Sequence, residues 1–243
     1  MTNKQLTDQA AAYKKDANDL FDKAVADLIA LAFRYSYLGA NFLWDAVPEL
    51  NDEANRILRD LSDNAAERAK ARAIKLIRDA GWDGGDDAWE VANAHTDEDI
   101  VTRFDQQGSF LKELLEIWIA LAFVKGMTQS YLKISVLRYI RNPYLSPAWK
   151  ELPQGLLKWG RGYQKDLIAQ ITLIGQDAII STVRYAEWKA EEEGGASYYI
   201  RRRGSGFLCP QCDSECGIPI PISVPFWESH PRCMCWPEYH HED

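Results

Sequence analysis

The sequence predicts a mainly α-helical protein, in which long helical hairpins are followed by a short strand and a compact cysteine-rich C-terminal segment. Three observations point there. Apolar residues recur at helical spacing over most of residues 8–193, Gly194 and Gly195 then precede the β-favouring Tyr198, Tyr199 and Ile200, and all five cysteines fall within residues 209–235.

The first helix is expected over residues 8–47, with Leu20, Ala24, Asp27, Leu28, Leu31 and Tyr35 following one another around one face and Pro48 interrupting it. A second is expected over residues 51–80, where Ile57, Leu61, Ala65, Ala69, Ala73 and Ile77 form a stripe and Gly81 supplies the stop. The Gly- and Asp-rich stretch GWDGGDDAW reads as a loop. A third helix should start with Ser109 as its N-cap and run to Arg141, and a fourth should run from Gly155 or Gly162 to Glu193. Residues 1–85 and 86–195 thus read as two helical hairpins, with residues 196–243 as a separate C-terminal segment. The pentapeptide IALAF, at residues 29–33 and again at 119–123, lies in the first helix of each. Tyr35, Trp44, Trp118 and Phe123 are expected in the core. In the run IPIPISVP each proline removes a ladder donor, so that run belongs at a sheet edge or in an extended connector.

Composition narrows the function. A net charge of -8 excludes a protein that grips nucleic acid through a large cationic face, because neutralising phosphates needs an excess of Lys and Arg. Residues 198–243 hold four arginines and no lysine against six acidic side chains, so Arg201, Arg202 and Arg203 are a local basic cluster, either solvated or facing phosphate. No apolar run is long enough to span a bilayer, and the N-terminus lacks the apolar centre of a secretory signal. A cytoplasmic site of synthesis is therefore expected, where thiols stay reduced and clustered cysteines point to metal before disulfides.

The cysteines carry metal-ligand spacing. Cys209 and Cys212 form CPQC, and His230, Cys233 and Cys235 form HPRCMC. Two such pairs brought together supply the four borderline-to-soft ligands that tetrahedral zinc requires. The favoured set is Cys209, Cys212, His230 and Cys235, with Cys233 a near-equal alternative to Cys235 because residues two apart in an extended chain face opposite sides. Cys216 is the weakest candidate. The ligands suffice to close the shell and no H-E-x-x-H helix is present, so one structural zinc per chain is expected, not a catalytic one. His95 reads as a surface residue, and His240 and His241 as a frayed tail. P-loop, nucleophile-elbow and dinucleotide-binding motifs are absent from the sequence, and no enzymatic activity is expected.

Over about residues 170–236 the chain resembles the Mu F-like minor head, or head morphogenesis, proteins of tailed phages. The resemblance rests on Arg184-Tyr185-Ala186-Glu187-Trp188, then Gly194-Gly195, the segment from Tyr198 to Arg203, Cys209-Pro210-Gln211-Cys212, Gly217, Pro225, and His230-Pro231-Arg232-Cys233-Met234-Cys235. Two departures stand out. Gly204-Ser205-Gly206 replaces an acidic residue common before the first cysteine, and Cys216 occupies a position usually polar, outside the family's ligand set. The resemblance implies a structural protein of the virion head, present in several copies near the portal vertex. It would act in head assembly, genome packaging or delivery, with the portal protein and the major capsid protein as partners and with possible DNA contact inside the head. A nucleic-acid-binding zinc-knuckle protein is the alternative.

Overall fold

The computed structural model describes residues 3–95, 99–141, 167–204, 210–227 and 235–242. The protein is mainly helical, with one small antiparallel sheet. Helices α1 (Asn3–Arg34) and α2 (Pro48–Asp79) are each 32 residues long and are separated by two short 3-10 turns. Pro48 opens α2 where the sequence suggested only an interruption, because its fixed φ and missing N–H suit the first helical position. Part of the expected GWDGGDDAW loop is instead helix α3 (Gly85–Ala94), which buries Ala88, Trp89 and Ala92.

The expected third helix is two helices, α4 (Ile100–Lys125) and α5 (Gln129–Arg141). Gly126 makes the break. It adopts φ 64°, and the Met127 amide turns back to donate to the Ala122 carbonyl at 2.9 Å, a helix ending that a residue with a Cβ disfavours. Ser109 lies inside α4, where its hydroxyl donates to the Asp105 carbonyl; the amide of Ile100 is instead met by the Asn93 side chain at 2.8 Å. Helix α6 is described over Leu167–Glu193, and the expected starts at Gly155 or Gly162 lie outside the described residues. Among the described residues no helix is long and apolar enough to cross a membrane.

The chain divides into two compact units. One comprises Lys14–Glu67 and Val101–Ile174, the other Met1–Tyr13, Arg68–Ile100 and Gly175–Asp243. In the first, the apolar stripe of α1 is buried at Leu20, Ala24, Leu28 and Leu31 as its spacing required. The two IALAF segments meet at their ends: the Phe33 and Phe123 rings lie 5.3 Å apart, and the matching pairs Ile29/Ile119 and Ala32/Ala122 are all fully buried. Trp44 and Trp118 are core residues, whereas Tyr35 and Phe123 are half-buried. The Trp44 indole donates to the Lys112 carbonyl at 2.8 Å, which satisfies a polar group that burial would otherwise orphan.

In the second unit the α2 stripe continues through Ala69, Ala73 and Ile77. Gly175 of α6 lies against the fully buried ring of Tyr13, so closely that a Cβ at Gly175 would fall 2.0 Å from the ring edge. This close approach requires a glycine. After α6 comes β1 (Tyr198–Arg202), the central strand of a sheet of order β2-β1-β3, with β2 (Pro219–Pro221) and β3 (Trp236–His240) both antiparallel to it. The proline-rich run therefore supplies an edge strand, where a missing donor costs nothing. His240 is not a frayed tail: it ends β3, and its ring stacks on Tyr198 at 4.7 Å.

Candidate metal centre

The sheet is seated on the last turns of α6 through the residues of the RYAEW motif. Trp188, Tyr199 and Phe226 form a buried cluster against which Tyr185, Ile220, Ile222 and Tyr239 pack. The Trp188 indole donates to the Ile222 carbonyl at 2.8 Å, and Tyr185 stacks on Trp227, whose other neighbour is the exposed His95 ring at 3.9 Å. Arg184 and Glu187, one turn apart, form a buried ion pair at 2.5 Å. Burial holds the Glu187 carboxyl above the usual range, with Arg184 pulling the other way. Burial likewise raises the Tyr239 phenol, and the Glu187 charge adds to that rise.

On this base the chain delivers cysteines from two directions. Helix α7 (Pro210–Glu215) carries Cys212, and the Cys216 amide donates to the Cys212 carbonyl at 2.9 Å, which places the two cysteines one helical turn apart on the same face. The turn is tied to the sheet where the Gly217 amide donates to the Arg201 carbonyl at 3.0 Å. Cys235 immediately precedes β3, whose first residue, Trp236, pairs with Arg202. Cys212 and Cys235 are buried together, with Cys216 packed against them, and the Cys216 and Cys235 sulfurs are 3.9 Å apart. Burial, and then Cys235, push the Cys216 thiol up to about 11, while Arg201 and Arg203 act in the opposite sense.

Of the residues picked from sequence, Cys212 and Cys235 come together, one from each ligand pair. Cys209, His230 and Cys233 lie outside the described residues. Among the described residues no group of three or more His, Cys, Asp or Glu side chains is arranged to hold an ion as it stands. The 3.9 Å separation of the Cys216 and Cys235 sulfurs is of the size that zinc chemistry sets. With Zn–S bonds of about 2.3 Å, two thiolates at tetrahedral corners lie about 3.8 Å apart. No family model, curated protein or solved structure matches the chain.

The three consecutive arginines are engaged within the module itself. Arg201 is buried, donates to the Trp227 carbonyl at 2.5 Å, pairs with Glu215 at 3.4 Å and lies over the Phe226 ring. Arg202 pairs with Glu238 across the β1–β3 ladder, and Arg203 pairs with Asp213 on α7. The hydrogen bond from Arg202 holds the Glu238 carboxyl below its ordinary range. Trp227 and Phe226, which position this network, were not singled out from sequence. Their only advance signal was an aromatic pair after a proline-rich edge.

Proposed function

We propose that the chain is a structural minor head protein of a tailed phage or prophage, associated with the portal vertex, and that its C-terminal module is a zinc knuckle. The observation that carries this reading is the shared burial of Cys212, from CPQC, and Cys235, from HPRCMC, beside a sheet seated on the RYAEW face of α6. Those are the residues on which the resemblance to Mu F-like proteins rests. A structural zinc joining them would fix the start of β3 to α7, and metal affinity would become local folding energy.

The alternative, a nucleic-acid-binding knuckle, needs Arg201, Arg202 and Arg203 for phosphate, and each already faces a carboxylate of the same module. For the helical part, Trp44 and Trp118 are unsuited as interface anchors because both are buried. Tyr131 and Ile134 on α5 are 59% and 65% exposed and nearly one turn apart, which suits them to anchor the portal. The test is co-expression with the portal protein of the same locus, followed by size-exclusion chromatography. Co-elution is expected, and Tyr131→Ala/Ile134→Ala should weaken it. A chain that stays apart from portal and heads yet binds DNA tightly at about 0.15 M salt would replace this reading with the nucleic-acid one.

A further inference from the structure

We infer that Cys216 is itself a metal ligand, sharing one edge of a tetrahedral site with Cys235. This rests on the zinc reading above and changes its ligand set, since Cys216 belongs to neither the CPQC nor the HPRCMC pair and occupies a position that the resembling family leaves polar.

The argument is geometric. The Cys216–Cys235 sulfur separation of 3.9 Å matches the thiolate–thiolate edge of about 3.8 Å that zinc imposes. A disulfide would need the sulfurs near 2.05 Å, so the pair would have to close by nearly half its present separation. Both sulfurs hang from anchored backbone. The Cys216 amide is bonded to the Cys212 carbonyl, Gly217 is bonded to Arg201 of β1, and Cys235 adjoins the Trp236–Arg202 pair. Cys212 lies one helical turn before Cys216 and packs against Cys235, so a third soft ligand borders the same edge.

Such a site takes a thiophilic divalent ion, zinc foremost, in a sphere containing at least Cys216 and Cys235, with Cys212 beside them. The remaining candidates from sequence then compete for fewer corners than their number suggests.

The experiment uses the full chain. It is loaded with cobalt(II), whose thiolate charge-transfer absorption scales with the number of coordinated sulfurs, and with zinc for alkylation mapped by mass spectrometry. Cys216→Ser should lower the cobalt band by about a quarter to a third, one sulfur out of three or four, and should weaken zinc retention by more than the roughly 10–100-fold typical of losing an outer-shell partner. In the unmutated protein, zinc should shield Cys216 from alkylation and a chelator should expose it, a readout that survives if the variant folds poorly. If wild-type protein takes up neither metal, the zinc reading falls and this inference with it. If metal is bound but Cys216 alkylates equally with and without it, or the Cys216→Ser band is unchanged, only this inference is overturned. A Cys216–Cys235 disulfide in protein kept reduced during purification, with no metal uptake, would also overturn it.

Discussion

Replacing Gly175 with alanine tests whether the packing of α6 on α1 is as tight as it looks. The added Cβ would sit 2.0, 2.4 and 2.7 Å from three atoms of the Tyr13 ring, and that ring is fully buried, with no solvent to retreat into. Contacts this short force a ring or backbone shift, and overpacking of that kind costs about 1–3 kcal/mol, occasionally more. The upper end applies here because ring atoms and not a flexible side-chain tip are struck. Removing a mid-helix glycine returns about 1 kcal/mol through helix propensity. The net is a destabilisation of about 2 kcal/mol, which lowers Tm by about 4–8 °C in a protein of this size. Gly108, inside α4, is the internal control. Its nearest neighbour to an added Cβ is Leu58 at 3.6 Å, an ordinary contact, so Gly108→Ala should be neutral or stabilising by up to about 1 kcal/mol. Thermal and urea unfolding followed by far-ultraviolet circular dichroism measure both. A Tyr13→Leu background should relieve much of the Gly175→Ala penalty, with a coupling of about 1 kcal/mol or more. A Gly175→Ala protein as stable as the unmutated one would refute the close approach and the placement of α6 with it.

Three further outcomes follow from the C-terminal module. Purified protein should carry about one zinc per chain, and chelation or Cys212→Ser should perturb the fluorescence of Trp227 and Trp236 while leaving most helical dichroism intact; dichroism collapsing throughout would contradict a locally acting metal. Arg201→Ala should cost about 1.5–3 kcal/mol in denaturant unfolding, because the Trp227 carbonyl and Glu215 lose a buried charged donor, and Arg201→Lys should recover only part. Glu238 has a folded pKa below its ordinary value of 4.5, so its stabilising contribution is present above that value and is lost as pH falls through the lowered one. Glu238→Gln should therefore flatten the fall in stability below about pH 4.5, by a small amount since the pair is exposed, and an acid limb identical to wild type would count against the Arg202 contact.

Much of the local architecture was legible from residue order. The buried face of α2 follows Leu61, Ala65, Ala69, Ala73 and Ile77 of the expected stripe, because a 3.6-residue period decides which side chains share a face, whereas Ile57 at its start is half-buried and Leu58 takes the buried position. Strand β1 was legible in Tyr198 to Ile200, and the edge position of β2 in its prolines. The misses were also physical. Gly126, with the Thr128 hydroxyl accepting from the Tyr131 amide at 3.3 Å, splits what reads as one continuous helix, since uninterrupted apolar spacing masks a glycine whose positive φ becomes visible only in the folded turn. Strand β3 contains Pro237 and ends in His240, a composition that suggests a tail until pairing with β1 satisfies its backbone.

What the sequence by itself determined is therefore whatever depends on neighbours a turn or a pleat away: the helical class, most helix faces, a strand after the double glycine, the confinement of the proline run to an edge or a connector, and the gathering of all cysteines in one short segment. Tertiary structure decided what depends on distance between residues far apart in the chain. It set Tyr13 against Gly175, turned three consecutive arginines from a candidate phosphate surface into internal ion pairs, and brought Cys216, the least favoured thiol by spacing, to 3.9 Å from Cys235. Periodicity specifies which way a side chain faces, but not which partner awaits it. That is settled only when the hydrophobic burial of Trp188, Tyr199 and Phe226 closes the sheet onto its helix and fixes the remaining separations.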